Sequence, residues 1–155
     1  MKNQIEKGLK ALGFQLPSNN KSVGNYIPYL IEGNRLYISG QLPIVDGKII
    51  YKGKINNNKK MFGYKASQLC AVNIIGQVNM ALKGNFKIIS KCLKLGGFVN
   101  SEKNFSDHPY VINGASELIC KIFKNKGKHT RFAVGVNSLP LDASVEIDAI
   151  FSLKN

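Results

Sequence analysis

The sequence predicts a single α+β domain, in which two long helices lie against one face of a β-sheet. Its 155 residues are the usual length of one domain. Several short segments alternate between polar and apolar residues, which is typical of strands, and two longer segments have the spacing of amphipathic helices. Their order along the chain is β-β-(β)-α-β-α-β-β, which places both helices on one side of a sheet.

The N-terminal segment is predicted to be a short amphipathic helix, because Ile5, Leu9 and Leu12 share one face. Glu6 lies early in this segment and no long apolar run follows, which is not the pattern of a signal peptide. We therefore expect a cytoplasmic protein. One domain is expected over residues 1–155, with a helix and loop extension at residues 1–21 and the core at residues 22–151.

The other elements are predicted from alternation, helical spacing and turn residues. We expect strands at about Tyr26–Ile31, Arg35–Gln41, Lys48–Tyr51 and Phe86–Leu95, the last ending at Gly96-Gly97. We expect helices at Met61–Leu82 and Asn113–Phe123, and a hairpin of Arg131–Val136 with Ser144–Phe151. The sheet face without helices would still need a cover, and in a domain of this size a second subunit is the natural one.

The last predicted strand alternates cleanly. Val145, Ile147 and Ala149 share one face, whereas Glu146 and Asp148 share the other. This pattern predicts one buried and one polar face for the strand.

The composition argues against several classes of function. The net charge is +13, but the positive residues are mostly scattered lysines. The two arginines, Arg35 and Arg131, are not interleaved with aromatic residues as in proteins that stack nucleic-acid bases. We therefore expect no nucleic-acid partner. No apolar run approaches the roughly 20 residues of a membrane span, so we expect no membrane association.

The cysteines and histidines do not form a metal-binding pattern. Cys70, Cys92 and Cys120 form no C-x-x-C pair, and His108 and His129 are distant from them in sequence. We expect reduced thiols and no metal.

Arg131 and Glu146 are the strongest candidates for a functional pair. Antiparallel pairing about a turn at Leu139-Pro140 would set Arg131 opposite Asp148. Arg131 and Glu146 would then be diagonal neighbours on one face, roughly 7–8 Å apart. A guanidinium can bind a carboxylate through two hydrogen bonds, and a glutamate can hold and activate water. From the spacing alone, a structural ion pair at an interface remains the alternative.

A second candidate is the segment Ser39-Gly40-Gln41 at the end of a predicted strand. Gly40 has no side chain, so a ligand could approach its backbone N–H closely. A strand that simply ends in glycine is the alternative. His129 could act as an acid or base near neutral pH, or could be an ordinary loop or surface residue.

Four segments together resemble the Rid family (reactive intermediate deaminases, RidA/YjgF-like, formerly endoribonuclease L-PSP). They are NYIPYLIEGNRLYISGQLPIVDGKI, GYKASQLCAVNIIGQV, FVNSEKNF and HTRFAVGVNSLPLDASVEIDAIF. The last is the most specific, because it combines an arginine, a Leu-Pro pair and Val-Glu-Ile. The resemblance extends from about Ser22 to Phe151, nearly the whole chain.

The resemblance implies a chorismate-mutase-like fold and a homotrimer with clefts between its subunits. The implied reaction is hydrolysis of reactive 2-imino or enamine acids to 2-keto acids and ammonia, without a cofactor. Arg131 matches the arginine that binds the substrate carboxylate, and Glu146 matches the acid that positions the hydrolytic water. Substrate-binding roles are implied for Tyr26, Ser39, Gly40, Asn113 and Ala133.

The sequence departs from the common family pattern at three places. Ala133 replaces the cysteine of many members, NYIPY replaces the usual cleft segment, and the N-terminal helix is additional. Two other functions therefore stay open. One is a non-catalytic regulatory trimer that binds small carboxylates, and the other is a basic RNA-binding translation inhibitor of the ribonuclease type.

Overall fold

The computed structural model describes residues 1–18 and 25–154. Helices α1, α2 and α3 span Lys2–Ala11, Lys60–Ala81 and His108–Phe123. Strands β1 to β7 span Tyr29–Glu32, Arg35–Gln41, Ile44–Val45, Lys48–Ile49, Ile89–Asn100, Thr130–Val136 and Val145–Leu153. Short 3-10 helices precede α2, β5, β6 and β7. The predicted boundary between extension and core, at residues 21 and 22, lies outside the described residues.

A mixed sheet of order β1-β2-β7-β5-β6 forms the centre of the fold. β6 is parallel to β5, and the other neighbouring strands are antiparallel. β3 and β4 form a separate two-stranded hairpin. Two long helices cover one face of the five-stranded sheet, which confirms the predicted α+β class.

The predicted hairpin of Arg131–Val136 with Ser144–Phe151 is wrong. β5 lies between β6 and β7 and pairs with both. The short connection and its Leu139-Pro140 turn resemble a hairpin locally. However, a strand from an earlier part of the chain occupies the space between the two partners, and local patterns do not report such an insertion.

The prediction that a strand ends at Gly96-Gly97 is also wrong, because β5 continues through both glycines to Asn100. A Cβ at Gly96 would lie 2.3 Å from the Asp148 carboxylate, and one at Gly97 would lie 2.7 Å from the Ile112 side chain. Glycine within a strand often marks such close approaches. These two residues therefore make room for neighbouring side chains.

Other boundaries shift for local reasons. β1 begins at Tyr29, so Tyr26 lies before the strand, whereas β2 has the predicted bounds. α3 begins at His108, five residues before the predicted start at Asn113. Pro109 occupies the first turn of α3, where a missing N–H is tolerated.

The core lies between the sheet and helices α2 and α3. The predicted apolar face of β7 is buried, and the apolar positions of α2 are buried almost all around the helix. Ile5 and Leu9 of α1 are buried as predicted, and α1 packs on α3 through Gly8 and Ile122. Burial of this apolar surface provides most of the stability of such a fold.

Helices α2 and α3 are in close contact at Gly114. A Cβ at this position would lie 2.2 Å from the backbone oxygen of Tyr64, which cannot rotate away as a side chain can. We expect Gly114→Ala to lower the free energy of unfolding by about 3 kcal/mol, because it overpacks the helix contact. Chemical denaturation measures this loss.

Gly8→Ala in α1 is the matched control. Its Cβ would meet only the end of the Ile122 side chain, at 3.0 Å. Alanine is favoured over glycine within a helix by about 1 kcal/mol, so this variant should be neutral or slightly more stable. Equal losses for Gly114→Ala and Gly8→Ala would contradict the assigned backbone contact.

Candidate functional site

The structure separates the predicted site residues into two groups. Arg131 and Ala133 lie on β6, Arg131 contacts Ser116 of α3, and Asn113 lies three residues before Ser116 on the same helix. We call these four residues the arginine half-site. Tyr26, Ser39, Gly40 and Glu146 lie around β2 and β7, and we call them the glutamate half-site.

In the arginine half-site, Arg131 is held against helix α3. Its Nη1 donates a hydrogen bond to Ser116 Oγ at 3.0 Å, and its Nη2 donates to the backbone oxygen of Pro109 at 3.3 Å. Among residues 1–18 and 25–154 the single ion pair is Lys60 with Asp107, so Arg131 has no acidic partner there. This half-buried guanidinium is therefore oriented by neutral oxygens and keeps N–H groups for an anion.

In the glutamate half-site, the carboxyl group of Glu146 lies against Gly40. Its Oε1 would lie 2.1 Å from a Cβ at Gly40, so the carboxyl group covers the backbone of that glycine directly. The register between β2 and β7 shifts between Ile38 and Gln41, which is typical of a β-bulge. Any larger residue at position 40 would displace the carboxyl group of Glu146.

Burial raises the pKa of the Glu146 carboxyl group, and the neighbouring Asp148 carboxylate raises it further. Both residues lie on the sheet face that the helices leave open, two positions apart on β7. A carboxyl group whose pKa is raised by its surroundings can exchange protons closer to neutral pH than an ordinary glutamate. Glu146 is thus suited to acid–base chemistry.

Ser39 fixes the chain segment next to Tyr26. Its Oγ donates to the Ile27 backbone oxygen at 2.8 Å, and its backbone N–H donates to the Pro28 oxygen at 3.0 Å. Tyr26 itself is 48% exposed. Ser39 therefore supports the position of Tyr26 and of the β2 end, and a direct role toward a ligand remains a prediction.

The predicted diagonal contact between Arg131 and Glu146 within one chain is wrong. Arg131 is the cross-strand partner of Leu95, and Glu146 is the partner of Phe98. Partners share a sheet face, and residues three apart on one strand lie on opposite faces. Arg131 therefore lies on the helix side of the sheet and Glu146 on the open side. A cleft that contains both groups must combine two copies of the chain.

Sequence reasoning missed Ser116 and placed His129 at the surface. The His129 ring contacts Ser116 Oγ through Nε2 at 3.0 Å and the Gly127 backbone oxygen through Nδ1 at 2.6 Å. Ser116 is two helical positions beyond Gly114 and has no distinctive motif. The H-T-R segment could have indicated that His129 lies near Arg131, because residues 129 and 131 share one side of an extended chain.

A cavity of ≈ 570 Å³ lies at the other end of β6, lined by residues that include Ser101, His108 and Gly135. Ser101 Oγ and His108 Nε2 are 3.0 Å apart, and a Cβ at Gly135 would lie 2.4 Å from that nitrogen. Burial lowers the pKa of His108, and Asp107 opposes this shift. This neutral pair makes no hydrogen bond to Arg131 among the described residues.

Two of the three cysteines, Cys70 and Cys92, are buried. Burial raises the pKa of the Cys70 thiol well above its usual value and that of Cys92 to about 12, so both stay protonated. Within the described ranges, no three His, Cys, Asp or Glu side chains are grouped so that they could hold a metal ion. Nor does any helix in them have the length and apolar character needed to cross a membrane.

Comparisons with known proteins support the family resemblance. A curated relative, Protein TCP17 of Trypanosoma cruzi, is 37% identical over 154 residues, which cover 98% of this chain and 96% of the relative. The crystal structure of Atu1372 from Agrobacterium tumefaciens, a protein of unknown function, is 46% identical with a TM-score of 0.91 and covers 99% of this chain and 96% of its own.

A second solved structure, from Shewanella oneidensis, is described as a "putative endoribonuclease". It is 33% identical with a TM-score of 0.90, and the alignment covers 96% of this chain and 99% of that chain. The family model "YjgF/chorismate mutase-like, putative endoribonuclease" matches residues 6–152. The chain therefore belongs to the YjgF/chorismate mutase-like family, as its sequence segments indicated.

Proposed function

We propose that this protein is a hydrolytic deaminase of 2-imino acids, with each active site formed between two subunits of a homotrimer. The observation that carries the proposal is the Arg131 guanidinium, which is held by Ser116 and Pro109 and has no acidic partner among the described residues. A guanidinium in this state is suited to bind the carboxylate of a small ligand.

The open face of the sheet supports assembly. It consists of the outward side chains of strands β1, β2, β7, β5 and β6 and includes Leu30, Tyr37, Phe98, Phe132 and Val134. Leu30 is 49% exposed and Val134 is 42% exposed in the single chain. Large apolar side chains that are exposed on one face favour an interaction site there. Arg131 lies on β6, an edge strand of the sheet, so a neighbouring copy can approach it from the side.

The chemistry follows from the two half-sites. The substrate carboxylate binds to Arg131, and water held by Glu146 attacks the C2 carbon of the imine. Glu146 accepts a proton from the attacking water and delivers it to the imine nitrogen, which gives a carbinolamine. It then transfers the proton of the carbinol hydroxyl to the amine, so that the C–N bond breaks, ammonia leaves and the 2-keto acid forms. Both steps need only the side chains of the protein. Backbone N–H groups at Gly40 and Ala133 would contact the ligand carboxylate or carbonyl.

The test is an assay with 2-iminopropionate generated in situ, in which ammonia and keto acid are followed together. We expect the purified chain to release ammonia well above the uncatalysed rate, and to behave as a trimer in sedimentation. Binding of 2-oxobutyrate without turnover would support a regulatory carboxylate-binding protein instead. Cleavage of RNA that survives repurification and weakens steeply with salt would support the ribonuclease alternative.

A further inference from the structure

His129 is connected to the functional arginine by a chain of hydrogen bonds. The chain runs from the Gly127 backbone oxygen to His129 Nδ1 at 2.6 Å, from His129 Nε2 to Ser116 Oγ at 3.0 Å, and from Ser116 Oγ to Arg131 Nη1 at 3.0 Å. Its first member is firmly placed, because a Cβ at Gly127 would lie 2.5 Å from the Ile119 backbone oxygen on α3.

The hydrogen atoms in this chain can be assigned from chemistry alone. A backbone oxygen only accepts, so His129 Nδ1 must carry the proton, and Nε2 of the neutral ring is then an acceptor. Arg131 only donates, so Ser116 Oγ accepts from it. The Ser116 hydroxyl hydrogen is thus directed to His129 Nε2, which leaves a lone pair of Oγ facing Arg131.

We propose that His129 and Ser116 are positioning residues for Arg131, and that the Nδ1–H tautomer of His129 orients the Ser116 hydroxyl so that the guanidinium presents its free N–H groups to a carboxylate. This inference rests on the proposed function for the identity of the ligand. It does not require that turnover occurs, because it concerns how the cation is held.

Asparagine and glutamine at position 129 each replace one nitrogen of the His129 ring. His129→Asn keeps a donor for Gly127 but cannot reach Ser116, whereas His129→Gln keeps an acceptor at the place of Nε2. Ser116→Ala removes the oxygen between the ring and Arg131. We expect Ser116→Ala and His129→Asn each to raise the dissociation constant of 2-oxobutyrate and KM about 10-fold, with kcat within about 2-fold. His129→Gln should bind within about 3-fold of the wild type.

A second serine–histidine pair among the described residues is a matched control. Ser101 and His108 have the same 3.0 Å contact but make no hydrogen bond to Arg131. Ser101→Ala and His108→Asn should leave the dissociation constant of 2-oxobutyrate within about 2-fold. Equal weakening by both pairs would overturn the positioning role. So would unchanged binding in Ser116→Ala and His129→Asn.

Nitrogen NMR of the His129 ring at about pH 8 separates this inference from the proposed function. The Nδ1–H tautomer is expected in the wild type, and the Arg131 side-chain signals should shift in Ser116→Ala. An Nε2–H tautomer would overturn the inference even if the protein is an active deaminase. Conversely, an inactive wild type with the Nδ1–H tautomer and weakened 2-oxobutyrate binding in Ser116→Ala would defeat only the proposed reaction.

Discussion

Replacing Arg131 with alanine is expected to lower kcat/KM for 2-iminopropionate by at least about 100-fold. Truncation of one partner in a hydrogen-bonded charge pair costs several kcal/mol, and Arg131 would supply the main cation for the substrate carboxylate. The expected loss should appear mostly in KM, because the carboxylate is bound in both the ground state and the transition state. Steady-state kinetics with in situ substrate measures this effect.

Arg35→Ala is the control for this variant, because Arg35 is the second of the two arginines in the chain. It is exposed on β2, and its Nη1 is 3.5 Å from Asn34 Oδ1. The Arg35→Ala enzyme should keep nearly the wild-type kcat/KM. Full activity in Arg131→Ala would remove the basis of the proposed function.

Arg131 and Glu146 lie on opposite sheet faces, so each cleft should use Arg131 from one subunit and Glu146 from another. Mixing the two inactive variants tests this. Chains that carry Arg131→Ala can be refolded together with chains that carry Glu146→Gln. If each cleft combines the two half-sites from neighbouring subunits, about a quarter of the clefts in randomly mixed trimers contain both native residues. Activity should recover to about that fraction, whereas clefts built from one subunit would stay inactive.

The sequence predicted most local features and failed where distant segments meet. Strand β2 and the two faces of β7 followed from alternation, because each depends on residues that are neighbours along the chain. The insertion of β5 between β6 and β7 left no local trace, so the hairpin prediction failed. Gly96 and Gly97 likewise resembled a strand end, because the side chains that fill their space come from β7 and α3.

In the candidate site, too, local motifs could be predicted and contacts between distant segments could not. Similarity of motif selected Arg131 and Glu146 as candidates, but their predicted relation in space depended on the wrong hairpin register. Ser116 was missed because its role depends on α3 packing beside β6, a tertiary contact that no short motif records. His129 illustrates the converse, since a residue that is unremarkable in sequence acquires a precise set of partners in the fold.

Glu146→Gln is the second variant with a large expected effect. The amide cannot accept a proton from water, so kcat should fall at least about 100-fold. We expect the Glu146→Gln protein to stay folded, so unfolding should not account for the fall in kcat. The surroundings of Glu146 raise its pKa in the folded state, so any stability that its protonated form contributes is lost as pH rises through that pKa. At neutral pH the ionised carboxylate therefore disfavours folding, and a neutral amide in its place should stabilise the protein. Glu6→Gln, at an exposed position of α1, is the control.

Asp148→Asn tests the electrostatic part of this assignment without removing the base. Glu146 must be ionised to activate water, so the rate should rise with pH through its pKa. Burial raises that pKa first and the Asp148 charge adds to the effect, so a neutral asparagine should shift the acid limb of the kcat profile to lower pH. A limb that stays in place, or moves to higher pH, would show that another group controls the reaction.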